Sequence, residues 1–215
     1  MKSYKVETTD LAEKVYNSIK EMILNRKLVP GQKLVQEDMA EQLGVSRTPI
    51  LSAFSKLEKE WLVKSLPRRG YYINEMGIDE KLSLFDIRLR LEPLGARKAA
   101  ELGSGKEKQE LMNMIISTPE IIFHEDFTLF NKHDYEFHRK IMSMSRNSML
   151  YMMLSSYNII SLSNQNAEDI NYSISIAGHK LIAEAIFSSN PEKTEKIMEE
   201  HIRKGLERLT SSIKS

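Results

Sequence analysis

The 215-residue chain has no cysteine. That excludes a disulfide framework and any zinc site built on thiolates. It also lacks an apolar run near the ~20 residues that a membrane helix needs. Its N-terminus lacks the apolar core of a signal peptide. The expectation is a soluble, cytoplasmic protein with no membrane partner. Strong charge is missing too: the net value is +1, so the whole chain is not a basic nucleic-acid binder. The charge is nevertheless split along it. Residues 1–75 hold 13 Lys+Arg against 10 Asp+Glu, and the remainder 18 against 20. That asymmetry has the sign expected of an N-terminal DNA-binding domain. The length allows one or two domains.

What is present is most telling between Met39 and Ile50. The stretch reads as a short helix, a tight turn at Gly44 and the first turn of a second helix. Ser46 is placed to cap that helix with its hydroxyl. Pro49 falls in the first turn, where a missing N–H costs little. Ile50, Ala53, Phe54 and Leu57 then form one apolar stripe. The opposite face carries Arg47, Thr48, Leu51, Ser52 and Lys56, which is the chemistry of a helix-turn-helix recognition helix. A solvated amphipathic helix has the same pattern, so the flanks matter. Leu62 to Leu66 reads as a strand, Pro67 to Gly70 as a turn, and Tyr71 to Ile73 as a returning strand. Arg68, Arg69 and Gly70 at the hairpin tip suit a wing that touches phosphate or the minor groove.

Upstream, Leu11, Val15, Ile19, Met22 and Ile23 make a helical stripe with Asp10 as its N-cap, and Pro30-Gly31 a turn. The predicted fold class is mainly α: a winged helix-turn-helix over residues 1–75, then an all-helical bundle of about six helices over 76–215. No strand is expected beyond residue 75. Within the bundle one long pattern runs from Glu80 to Leu102, and Pro93 should kink or break it near Glu92. Further helices are expected to about Ile116, then over Phe127 to Met144, Asn147 to about Asn164, Ser175 to Phe187 and Pro191 to Ser212. Thr118-Pro119 should open another segment. The Met- and Leu-rich helix after Asn147 is expected to be buried.

The histidines form a second set of interest. Asp134 and His138 are spaced i and i+4 and share a helix face. His179 is read as opening the penultimate helix, and His201 lies inside the last. Both have apolar neighbours in register, which points them into the bundle. Three inward histidines and an aspartate suit Zn²⁺, Ni²⁺ or Mn²⁺ by ligand type. The alternative is four separate residues, each capping a helix or hydrogen-bonded in a core; spacing alone does not decide. His124 and His133 read as surface or loop residues. An open His₃Asp site can also activate water, so a metal-dependent enzyme competes with a regulator as a reading. No dedicated catalytic residue stands out.

Two sets of residues resemble known families. Gly31, Leu34, Ala40, Leu43-Gly44-Val45-Ser46-Arg47-Thr48-Pro49, Leu57, Glu60-Trp61-Leu62-Val63 and Gly70 resemble the GntR family of bacterial transcription regulators. Arg88-Leu89-Arg90-Leu91-Glu92-Pro93-Leu94-Gly95-Ala96, Asp134 to His138, Asn147, His179 to Ile186 and His201 resemble the FadR-type ligand-binding (FCD) domain. The resemblance implies a repressor-like regulator of operator DNA that forms a homodimer. It implies that Asp134, His138, His179 and His201 bind a divalent metal, Zn²⁺ first, and that a small carboxylate effector sits over it. Arg88 is a candidate for meeting that carboxylate. The third reading is a metal that only staples the bundle. Two residues depart from the family pattern. Leu51 stands where an arginine that contacts guanine is usual, and Trp61 stands where glycine is usual. The common family operator is therefore not assumed.

Overall fold

The computed structural model describes residues 9–117, 127–156, 160, 162 and 172–211. The chain divides into two compact units, Met1–Glu75 and Met76–Ser215.

The first unit holds α1 (Thr9–Leu24), β1 (Lys33–Leu34), α2 (Gln36–Leu43), α3 (Arg47–Lys59), β2 (Val63–Leu66) and β3 (Gly70–Ile73). Gly44 takes the left-handed conformation at φ 65° and closes α2 with its N–H on Ala40 and Glu41 carbonyls; a residue with a side chain is strained there. Ser46 occupies the N-cap of α3 with extended backbone but makes no side-chain cap hydrogen bond, unlike the sequence expectation. Ile50, Ala53, Phe54 and Leu57 of α3 are buried, and α3 packs across α1. The sheet order is β1-β3-β2, antiparallel throughout, with Leu66 opposite Gly70. The short β1 was not anticipated, because two residues carry no readable alternation. Leu34 is its buried member. Asp10 is not the cap of α1 either, since that helix already begins at Thr9. Trp61, at the position where the family motif has glycine, holds φ 61° and is about half exposed. Asn74 Nδ2 donates to its carbonyl at 2.9 Å, which ties this turn to the end of β3.

The second unit is helical among its described residues: α4 (Ile78–Leu102), α5 (Gly105–Ile116), α6 (Phe127–Met144), α7 (Ser148–Ser156), α8 (Tyr172–Phe187) and α9 (Pro191–Ser211). No strand occurs among those described residues. Of the kink or break expected near Glu92, the break does not occur: α4 runs through Pro93. Proline removes one backbone hydrogen bond at a cost of about 3 kcal/mol. Packing outweighs it, since Phe85, Ala96, Ala99 and Ala100 on the same helix are core residues. The last helix, α9, lies along α4, with α6 and α8 also against it. Phe137, Ile141, Ile182, Ile186, Met198 and Ile202 complete that core.

The helix after Asn147 is not wholly buried. Leu150 and Leu154 face the core, whereas Met149, Met152 and Met153 are exposed. Thr118-Pro119 and His124 lie outside the described residues, as does much of the segment expected to continue α7.

Candidate functional site

Asp134, His138, His179 and His201 come together in the second unit. Each offers one donor atom, and the four atoms lie within 4.8 Å of one another. Asp134 and His138 are one turn apart on α6, His179 is on α8 and His201 on α9. His179 is not at the start of its helix, as sequence suggested; α8 begins at Tyr172, so the residue sits two turns in and is buried.

The distances suit a shared cation. His179 Nε2 is 3.2 Å from Asp134 Oδ1, and His138 Nε2 is 3.8 Å from the same oxygen. The imidazole rings of His138, His179 and His201 have centroids 4.9–5.3 Å apart. Phe137 stacks on His179 at 4.3 Å and fixes its plane. Among the described residues, Nε2 of His138 and Nε2 of His179 are buried without a well-formed hydrogen bond. Buried polar atoms left so are costly, and a cation at the centre of the four donors would satisfy them. The residues therefore fit a divalent metal.

Electrostatics prepare the same atoms. Burial pushes His179 down to about 4 against the pull of Asp134. Burial, with the other two imidazoles, holds His201 well below the usual histidine range. Both rings are neutral near pH 7, with lone pairs free for coordination. For Asp134, burial acts upward, but His179, His138 and Arg88 outweigh it and hold the carboxyl far below the usual range, so it is a carboxylate.

Glu92 is a functional candidate that sequence reasoning missed. It is fully buried on α4, accepts from Arg88 Nε at 2.5 Å, and its other oxygen meets His138 Nδ1. Burial acts upward on it too, yet Arg88 and His138 bring it down to about 2. A carboxylate on the far nitrogen of an imidazole fixes ring orientation and raises ligand basicity. The i, i+4 spacing of Arg88 and Glu92 signalled an ion pair; nothing local signalled His138. His133, expected at the surface, is half-buried on α6. Its Nε2 lies 3.4 Å from the Met114 carbonyl, and its ring is 6.0 Å from that of His179.

Asp134, Arg88 and His201 line a pocket of about 760 Å³ whose walls mix Phe85, Phe130, Ile174 and Leu181 with the charged Glu200, Lys204, Glu207 and Arg208. Arg88 is buried and ion-paired as well as pocket-lining.

The residues singled out for DNA lie in the first unit. Arg47, Thr48, Leu51 and Ser52 are exposed on one side of α3, Leu51 at 40%. Arg47 pairs with Glu37 at 2.9 Å across the turn, with both side chains more than half exposed. Such a pair is weak and leaves the guanidinium available. Lys56 is different: it binds Glu13 at 2.8 Å and lies 3.7 Å over the Tyr16 ring, so α1 holds it. Arg68 and Arg69 are exposed between β2 and β3, with positive φ at Arg68 and Gly70.

A helix-turn-helix with a hairpin wing, joined in one chain to an all-helical bundle, is the build of a DNA-binding transcriptional regulator. Comparison with known families gives the particular group. Residues 11–73 match the bacterial regulatory proteins of the gntR family, and residues 83–204 match the FCD domain. The chain belongs to the GntR family and carries an FCD domain.

Relatives agree. The "Uncharacterized HTH-type transcriptional regulator YdhC" of Bacillus subtilis is 29% identical over 145 residues, which is 66% of this chain and 64% of that protein. The "Probable D-xylose utilization operon transcriptional repressor" of Paenarthrobacter nicotinovorans is 24% identical over 202 residues, 93% of this chain and 89% of that protein. Among solved structures, Escherichia coli McbR/YncC has the same fold, with a TM-score of 0.81 at 21% identity over 96% of this chain and 100% of that one. The Bacillus and Paenarthrobacter proteins are transcriptional regulators by name, and with the family match they favour a regulator over the metal-dependent enzyme. Among the described residues, no helix is long and apolar enough to cross a membrane.

Proposed function

We propose that the chain is a metal-containing, effector-responsive repressor. The first unit, residues 1–75, reads operator DNA, and the second, residues 76–215, senses a small carboxylate. The convergence of Asp134, His138, His179 and His201 beside a pocket that Arg88 also lines carries this reading. The three imidazoles and the aspartate would hold the divalent metal, Zn²⁺ by preference and Ni²⁺ or Mn²⁺ by ligand type. When bound, the metal supplies a Lewis-acid anchor for an anionic ligand. Arg88 supplies a second positive group on the same pocket, and the apolar side chains among its walls hold the remainder of the effector. Three helices would be tied together at that point, so a ligand that prefers one arrangement of them shifts the population toward it.

On DNA, Ser46, Arg47, Thr48, Leu51 and Ser52 would face the major groove, and Arg68, Arg69 and Gly70 the backbone or minor groove. Lys56 contributes less, because the Tyr16 ring engages it as well as Glu13. Leu51 can meet a thymine methyl but cannot read guanine, which favours an A·T-richer half-site than an arginine would select. One recognition helix contacts few bases, so a homodimer on a pseudo-palindrome is the working form in the cytoplasm.

The test is operator binding by protein that is untreated, chelator-stripped or reloaded with Zn²⁺, on a duplex selected from a random pool. A panel of small carboxylates is titrated into each. The expected outcome is a carboxylate that changes operator affinity in the metal-loaded form alone. Operator affinity indifferent to every carboxylate and to stripping would refute the sensing role. A failure to select any duplex would refute the DNA role.

A further inference from the structure

Gly178 lies inside α8, one residue before His179. Glycine within a helix weakens it relative to alanine, so a helical glycine at such a position calls for a packing reason. The structure supplies one. A Cβ on Gly178 would fall 2.6 Å from His201 Nδ1, with Cε1 at 3.4 Å and Cγ at 3.6 Å. Real Cβ atoms do not approach that closely, so any side chain would push the imidazole aside. The ring has little freedom to yield while staying in the cluster, because its centroid is 4.9 Å from that of His179 and 5.3 Å from that of His138.

We propose that Gly178 is a positioning residue of the metal centre. Its missing side chain lets the Nδ1 edge of His201 lie against the backbone of α8. That close approach brings the ligand from α9 in among those from α6 and α8. Gly178 holds no donor of its own and acts only through His201. The inference rests on the metal-binding reading above.

Four proteins test it: the parent, Gly178→Ala, His201→Ala and the double variant. Each is stripped with chelator and titrated with Zn²⁺ against a chromophoric competitor. Thermal unfolding is measured in the stripped state. Gly178→Ala should weaken Zn²⁺ binding at least about tenfold, the scale on which groups that orient ligands act. In the stripped state the new Cβ should lower the melting temperature by crowding the His201 ring, whereas the double variant should melt no lower than His201→Ala, since alanine is the better helix former. The double variant should bind Zn²⁺ as His201→Ala does, because the two changes remove the same ligand. Gly178→Ala with parental affinity, beside a weakened His201→Ala, overturns the proposal. So does a stripped Gly178→Ala that melts lower without recovery in the double variant, which assigns the glycine to packing alone. Equal Zn²⁺ affinity in the parent and His201→Ala defeats the metal reading itself, and the inference with it.

Discussion

A single buried carboxylate shows how the centre is held at the residue scale. Glu92 is paired with Arg88, its other oxygen lies against His138 Nδ1, and the Nε2 side of that ring faces Asp134. Glu92→Gln keeps the size and removes the charge. Zn²⁺ affinity should fall by about 10- to 100-fold, the usual effect of losing a carboxylate behind a ligating histidine, with helix content unchanged by circular dichroism. An unchanged Zn²⁺ affinity would show that Glu92 serves only to neutralise Arg88. Half of this arrangement is legible in the sequence, although it was not read there. The four-residue spacing of Arg88 and Glu92 is a helical ion pair on inspection. The contact with His138 spans 46 positions of chain and has no local sign. His133 was misread for a related reason: it lies about 100° round α6 from Asp134, yet α5 reaches across to it through the Met114 carbonyl.

Helix ends and helix interiors differ in how openly they write their structure. The start of α5 is a capping box. Ser104 Oγ accepts from the Glu107 N–H at 3.3 Å, and the Ser104 N–H donates to Glu107 Oε2 at 2.9 Å. Hydrogen bonds from Ser104 and the Arg146 guanidinium hold Glu107 at about 2, below its ordinary 4.5. A depressed folded-state value means stability that is present above the unfolded value and lost as pH falls through the folded one. The contribution should therefore be complete at pH 6 and fade between about 4.5 and 2. Ser104→Ala should cost about 1 kcal/mol at pH 6 in thermal melts, and less at pH 3. An equal loss at both pH values would remove Glu107 from the account. Helix interiors were less legible. Pro93 reads as a breaker by local rules, and α4 passes through it because both flanks are packed. The methionines of α7 read as core by composition, yet three face outward; hydrophobicity without a clear period does not say which side is buried.

For the whole molecule, metal and stability should be linked in the second unit. A ligand at 100 times its Kd adds about 2.7 kcal/mol to the folded state. For a unit of this size that is several degrees in melting temperature. Zn²⁺ added to stripped protein should raise the melting transition by that amount, and His179→Ala should abolish the rise. A transition indifferent to chelator and to Zn²⁺ would count against a metal shared by three helices.

What the sequence determined by itself was the architecture: a helix-turn-helix marked by Gly44, Ser46 and Pro49, a hairpin after it, and helices from there on. Those features are legible because turns, caps and periodicity act over a few residues. The motif residues of both halves also sufficed to indicate the GntR family, which the family models then showed. Only the tertiary structure decided that Asp134, His138, His179 and His201 meet, that Glu92 stands behind one of them, and that Gly178 makes room for another. Each of those depends on which helix faces are pressed together. That is set by the summed burial of a core drawn from all six described helices of the second unit, and no short stretch of chain records it.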